Sequence, residues 1–95
     1  MATVTFSSFI QHYVACPTEE VFGNTLREVL NAYFEKHQRA RGYILDENGR
    51  LRPRLALSVD GIFATDRAGL SEPVHLRAQI YICQVPLDTE YEDLH

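Results

Sequence analysis

The chain has 95 residues, 45% of them apolar and 23% charged, with a net charge of −4 at pH 7. That size and composition suit one globular domain with a modest core. They exclude a membrane helix, for which no apolar run near ~18 residues is present, and argue against general nucleic-acid binding, which rests on cationic surface facing phosphates.

In chain order, Thr3–Ser8 alternates Val4 and Phe6 with Thr5 and Ser7, the period of a β-strand. Phe9–Ala15 is apolar-rich without clean alternation, and Pro17 breaks the run. Thr18–Phe22 reads as a second strand that pairs with the first and ends at Gly23-Asn24. Thr25-Leu26-Arg27-Glu28 fits a capping box, in which the Thr hydroxyl accepts an early N–H and the Glu reaches back. Leu26, Val29, Leu30, Tyr33 and Phe34 follow as one apolar stripe, so one main helix is expected over about 25–38, stopping before Gly42. Tyr43-Ile44-Leu45 is a short apolar run, and Asp46-Glu47-Asn48-Gly49 is a turn. From Arg50 the period is two, with Leu51, Pro53, Leu55, Leu57 and Val59 on one face and Arg50, Arg52, Arg54, Ala56 and Ser58 on the other. Asp60-Gly61 is a hairpin turn that returns through Ile62-Phe63-Ala64. Thr65–Val74 reads as a loop, and Gln79–Val85 as a last strand lying centrally. The expected class is α+β, in the order β-β-α-β-β-β, with a mixed sheet of about 4–5 strands packed on one helix, a β-grasp.

Charge is unevenly placed. Asp88, Glu90, Glu92 and Asp93 crowd the last eight residues, which hold no Lys or Arg, so the tail carries the whole acid excess. Two units are expected, a domain over residues 1–87 and an acidic, flexible tail over 88–95. The N-terminal Met1-Ala2-Thr3-Val4 has no basic segment leading an apolar one, so no secretory signal is expected and the expected location is the cytoplasm. Cys16 and Cys83 lack C-x-x-C spacing and are expected as two reduced thiols, with Cys83 a small core residue. His12, His37, His75 and His95 are scattered, and no pair has zinc-site spacing, so no metal or other cofactor is expected. No nucleophile motif surrounds any Ser or Cys, so no catalytic residue and no enzyme activity are expected.

Val4-Thr5-Phe6-Ser7, Gly23–Leu30, Arg41–Arg52, Val59-Asp60-Gly61, Leu70–Val74 and Ile80-Tyr81-Ile82, taken in that order, resemble the MoaD/ThiS family, the ubiquitin-like sulfur carriers. The resemblance spans Val4 to Val85 and implies a ubiquitin-like β-grasp. It also implies a partner, since such a carrier is the substrate of an adenylating (E1-like) enzyme. The carboxylate of a C-terminal Gly-Gly becomes an acyl-adenylate and then a thiocarboxylate. Glycine suits that end because a channel that must pass it leaves no room for a Cβ. This sequence departs there: no glycine follows Gly69, and the register of the last strand puts Asp88-Thr89 where Gly-Gly would stand.

The expected role is therefore a non-catalytic protein-binding module or adaptor whose sulfur chemistry is lost. The alternative is a divergent sulfur carrier or protein modifier activated at its C-terminus, as in molybdopterin, thiamine or cysteine-type sulfur transfer. Candidate partner-binding residues are Val85, Pro86, Leu87, Asp88, Thr89, Tyr91 and Leu94 in and before the tail. On a basic face they are Arg50, Arg52 and Arg54, placed to dock an acidic partner or an acidic tail. The partner is expected to be a protein, an adenylating enzyme or a larger enzyme subunit, with no nucleic acid and no membrane. The chain itself is expected to be a monomer or weak homo-oligomer.

Overall fold

The computed structural model describes residues 1–85. The tail candidates Pro86, Leu87, Asp88, Thr89, Tyr91 and Leu94 lie outside the described residues. The chain runs β1 (Ala2–Phe6), α1 (Ser8–Tyr13), β2 (Glu19–Val21), α2 (Leu26–Lys36), α3 (Gln38–Ile44), β3 (Leu55–Val59), β4 (Ile62–Phe63) and β5 (Gln79–Gln84).

Five strands form one mixed sheet in the order β2-β1-β5-β3-β4. The last strand is central. It pairs parallel with β1, from Thr3 opposite Gln79 to Phe6 opposite Ile82, and antiparallel with β3, from Leu55 opposite Gln84 to Val59 opposite Ile80. Alternation sends Val4, Phe6, Leu57, Ile80 and Ile82 to one face, where they are fully buried in one core with Leu26, Val29, Leu30, Tyr33 and Phe34 of α2. Each such side chain contributes about 1.5–3 kcal/mol by leaving water. The Phe6 and Tyr33 rings meet at 5.2 Å, and the buried Tyr33 hydroxyl donates to the Pro17 carbonyl at 2.6 Å.

Helix α2 begins as its sequence implies. The Thr25 hydroxyl accepts the Glu28 N–H at 3.2 Å, and the Glu28 carboxylate reaches back one residue further than the standard box, accepting the Asn24 N–H at 2.8 Å. The unpaired first-turn donors of any helix are met here by the loop before β5. Leu26 N–H donates to Glu72 O at 3.0 Å and Arg27 N–H to Leu70 O at 2.9 Å. Arg27 then spreads its guanidinium over two loops, donating to Gly49 O at 2.7 Å and Ala68 O at 2.8 Å.

Three expectations are corrected. Phe9–Ala15 holds most of a helix, α1, capped by Ser7, whose hydroxyl accepts the Ile10 N–H at 3.4 Å; β1 and β2 pair as expected, antiparallel, but are joined through that helix. The main helix ends at Lys36, and a second, α3, runs on through Gly42 because Ala40 and Ile44 have core to fill. The join is His37, whose ring holds Glu19 Oε2 at 2.9 Å while its backbone leaves helical angles. The period-two run from Arg50 is strand only from Leu55. The chain turns at Pro53 and Arg54, with Leu55 N–H donating to Arg52 O at 3.0 Å. The Asp60-Gly61 turn is as expected, both residues at positive φ (52° and 87°), the geometry of a two-residue hairpin.

Loops are tied by carboxylates. Asp66 accepts the Ser71 hydroxyl and the Gly69 and Ser71 N–H groups, which hold its carboxyl below the usual range. Glu72 is lowered by the Asp66 and Thr65 N–H groups, and Asp60 by the Gln79 N–H and then His75. A depressed folded value means that stability is fully present above the unfolded value, about 4 for these groups, and is lost as pH falls through the folded value. The urea midpoint should therefore be flat between about pH 5 and pH 8 and fall progressively below about pH 4, with Asp66→Asn flattening the fall. In the same titration at neutral pH, Arg27→Ala should lower the unfolding free energy by about 1–3 kcal/mol, as charged hydrogen bonds to two carbonyls are lost.

Candidate protein-docking surfaces

The face of the sheet opposite α2 carries the other set of alternating side chains. Thr5, Tyr81, Ser58 and Phe63 stand in register across β1, β5, β3 and β4. Cys83 and Ala56 are paired on the next row of the same face. Phe63 is 61% exposed and Tyr81 43%, while Ser58 between them is buried. Two partly exposed aromatic residues thus share one face of the sheet, an arrangement suited to a protein contact. Cys83 belongs to this face and is half-buried, not a core residue, because it falls on the Tyr81 side of the β5 alternation. Burial pushes up the thiols of both Cys16 and Cys83, which makes each a weak nucleophile at neutral pH.

A second surface lies where β5 ends. Phe9 and Tyr13 of α1, Gly42 and Tyr43 of α3, the segment Arg52–Leu55 and Gln84 line an open groove of about 640 Å³. Tyr13 packs against Phe9 at 5.1 Å and stacks near-parallel on Tyr43 at 6.4 Å. All three rings are partly exposed. The spacing Phe9/Tyr13 is one helical turn, a hint of helix in a segment of six residues too short to show a longer period. Tyr43 came from a run that periodicity alone could not orient.

The three candidate arginines do not share a strand face. Arg50 closes the 46–50 turn and pairs with Asp46 at 3.4 Å, while Arg50 and Asn48 N–H groups hold the Asp46 carboxyl down. Arg52 and Arg54 are brought together on the groove, flanking Pro53. Arg52 Nε donates to Gly42 O at 2.9 Å, which fixes its guanidinium there. Among the described residues neither Arg52 nor Arg54 has an acidic partner within ion-pair distance. Val85 also belongs here: its N–H donates to Arg54 O at 2.8 Å, so the end of β5 lies beside these arginines. Of the histidines, His37 binds Glu19 and His75 binds Asp60 at 2.6 Å. Among the described residues no cluster of three or more His, Cys, Asp or Glu could hold a metal, and no helix is long and apolar enough to cross a membrane.

No protein-family profile matches the sequence, and no curated protein does. Solved structures do match by shape. SAMP1 from Haloferax volcanii superposes with a TM-score of 0.71 at 13% identity, covering 90% of this chain and 96% of that one. A chain of the Amycolatopsis orientalis BexX/CysO complex gives 0.76 at 16% identity, over 90% and 97%. CysO of Mycobacterium tuberculosis gives 0.76 at 15% identity, over 90% and 100%. The likeness is one of fold: the chain has the ubiquitin-like β-grasp that its resemblance to MoaD/ThiS proteins implied.

The exposed side chains on both surfaces should do little for the fold. In urea titrations Arg54→Ala and Phe63→Ser should each change stability by less than about 0.5 kcal/mol. Tyr33→Phe, which strands the Pro17 carbonyl, should cost about 1–2 kcal/mol.

Proposed function

We propose that this chain is a non-catalytic ubiquitin-like docking module, a small protein that acts by being bound by another protein. The observation that carries the reading is the open sheet face. One side of the sheet is filled by α2, whereas Tyr81 and Phe63 stand exposed and in register on the other. Aromatic side chains on a rigid sheet lose little entropy on binding and commonly anchor interfaces. The partner is a folded protein, an adenylating enzyme or a larger enzyme subunit, met in the cytoplasm without nucleic acid or membrane. The domain covers residues 1–87 and the tail 88–95, with Val85, Pro86 and Leu87 as the root that carries Asp88, Thr89, Tyr91 and Leu94. The outer strands β2 and β4 span three and two residues, too short to recruit a further strand, which supports a monomer over an edge-paired oligomer.

A second reading is favoured by the solved structures of similar fold, among them a small archaeal modifier protein and CysO held in a complex. In it the chain is a carrier or modifier activated at its C-terminus. The glycine-free stretch 86–95 weighs against this, since side chains would have to pass where Gly-Gly fits.

Capture from the native host tests both. Wild-type chain should retain one partner that Tyr81→Glu and Phe63→Glu each release by at least about tenfold, equivalent to about 1.4 kcal/mol. Retention unchanged in both variants would remove the sheet face from the proposal. Intact mass of the recovered chain decides the chemistry: replacement of one carboxylate oxygen by sulfur establishes the carrier, and an unmodified terminus supports the docking module.

A further inference from the structure

We propose that the groove at the end of β5 is the seat of this chain's own acidic segment, residues 88–95, docked in cis. The proposal is independent of the open sheet face, which lies on different side chains.

Three features meet at the groove. Its floor is aromatic and aliphatic, made by Phe9, Tyr13, Tyr43 and Leu55, with the Tyr13 and Tyr43 rings near-parallel at 6.4 Å. Its rim carries Arg52 and Arg54, which have no acidic partner among the described residues. Guanidinium groups offer a planar fork of donors that matches carboxylates. The Arg52 fork is already oriented by its bond to Gly42 O, so little freedom remains to be lost on binding.

The third feature is position. Gln84 lines the groove, and the Val85 N–H is bonded to Arg54 O. Whatever follows Val85 therefore starts at the rim. Pro86 comes next in sequence and has no N–H to donate. The sequence beyond it has the complementary chemistry. Asp88, Glu90, Glu92 and Asp93 supply carboxylates, Tyr91 and Leu94 supply two apolar groups, and no cation intervenes. At about 3.3–3.6 Å per extended residue, a stretch this long reaches across such a groove. A tether this short gives an effective concentration in the millimolar range, so even a weak acidic peptide would hold the site. A partner peptide of the same acidic, aromatic kind would have to displace the tail first. The tail would thus act as a competitor built into the chain, and its docked state would cover the Phe9–Tyr13–Tyr43 patch.

The test uses the full chain labelled for NMR, with Tyr91→Ala/Leu94→Ala and Arg52→Glu/Arg54→Glu as variants. Docking in cis predicts that Tyr91→Ala/Leu94→Ala moves the amide signals of Tyr13, Gly42, Tyr43 and Leu55 and leaves those of β2 and β4 in place. Backbone order parameters over 90–94 should drop in both variants to below about 0.6, the flexible range, from a higher wild-type value. All these differences should persist on dilution and shrink in high salt, which screens exposed charge pairs. Groove signals that ignore the tail substitutions would overturn the proposal. Differences that vanish on dilution would also overturn it, assigning the groove to the tail of a second copy. Should Arg52→Glu/Arg54→Glu disturb the fold, the tail variant decides alone, since it alters no described residue.

Discussion

The parallel pairing of β1 with β5 is the constraint on which the rest of the molecule depends. Two parallel neighbours cannot be joined by a tight turn, so all the chain between Phe6 and Gln79 serves as their crossover. Ser7 N–H continues the ladder past the strand end, donating to Ile82 O at 2.9 Å. That bond sets the start of α1 against the end of β5. Helix α1 can bring Phe9 and Tyr13 to the sheet's end only because the first and last strands run in the same direction. The pairing thus produces both the core and the aromatic side of the groove.

A second dependency links the helix to its loop. The first N–H groups of α2 are satisfied by Leu70 and Glu72 carbonyls, and Val74 N–H returns to Asn24 O at 2.9 Å. Asp66 and Glu72 brace this loop from within, and Arg27 clamps it to the 46–50 turn. Leu70, at φ 53° and fully buried, bears the conformational cost of that tight docking. The irregular stretch before β5 is therefore positioned as firmly as the regular elements beside it. It holds Gln79 at the register that makes β5 central.

Much of the frame was legible because local and long-range preferences agree. The Thr25 cap, the stripe from Leu26 to Phe34 and the Asp60-Gly61 turn each state one structure in the sequence and adopt it. Readability failed where two periods overlap. Leu51, Pro53 and Leu55 alternate like a strand, yet Leu51 bridges Leu45 across the 46–50 turn and the chain turns at Pro53 and Arg54. In α1, a single inward residue, Ile10, leaves too little periodicity to reveal a helix. Gly42 suggested an end to helix where burial of Ile44 carried one onward. The groove was illegible for a different reason: α1, α3 and the 52–55 segment meet only through tertiary packing. Nothing in the spacing of Phe9, Tyr43 and Arg54 announces that they are neighbours.

The same pair of central strands has a mechanical consequence. Ala2 begins β1 at one end of the ladder, and Gln84 closes β5 at the other. A pull applied between these points runs along the strands and loads their hydrogen bonds together, in shear, so that none can peel ahead of the next. Forced unfolding is governed by the height of the unfolding barrier, and a shear geometry keeps that barrier high. A chain pulled by its C-terminal side would therefore resist at β5 first.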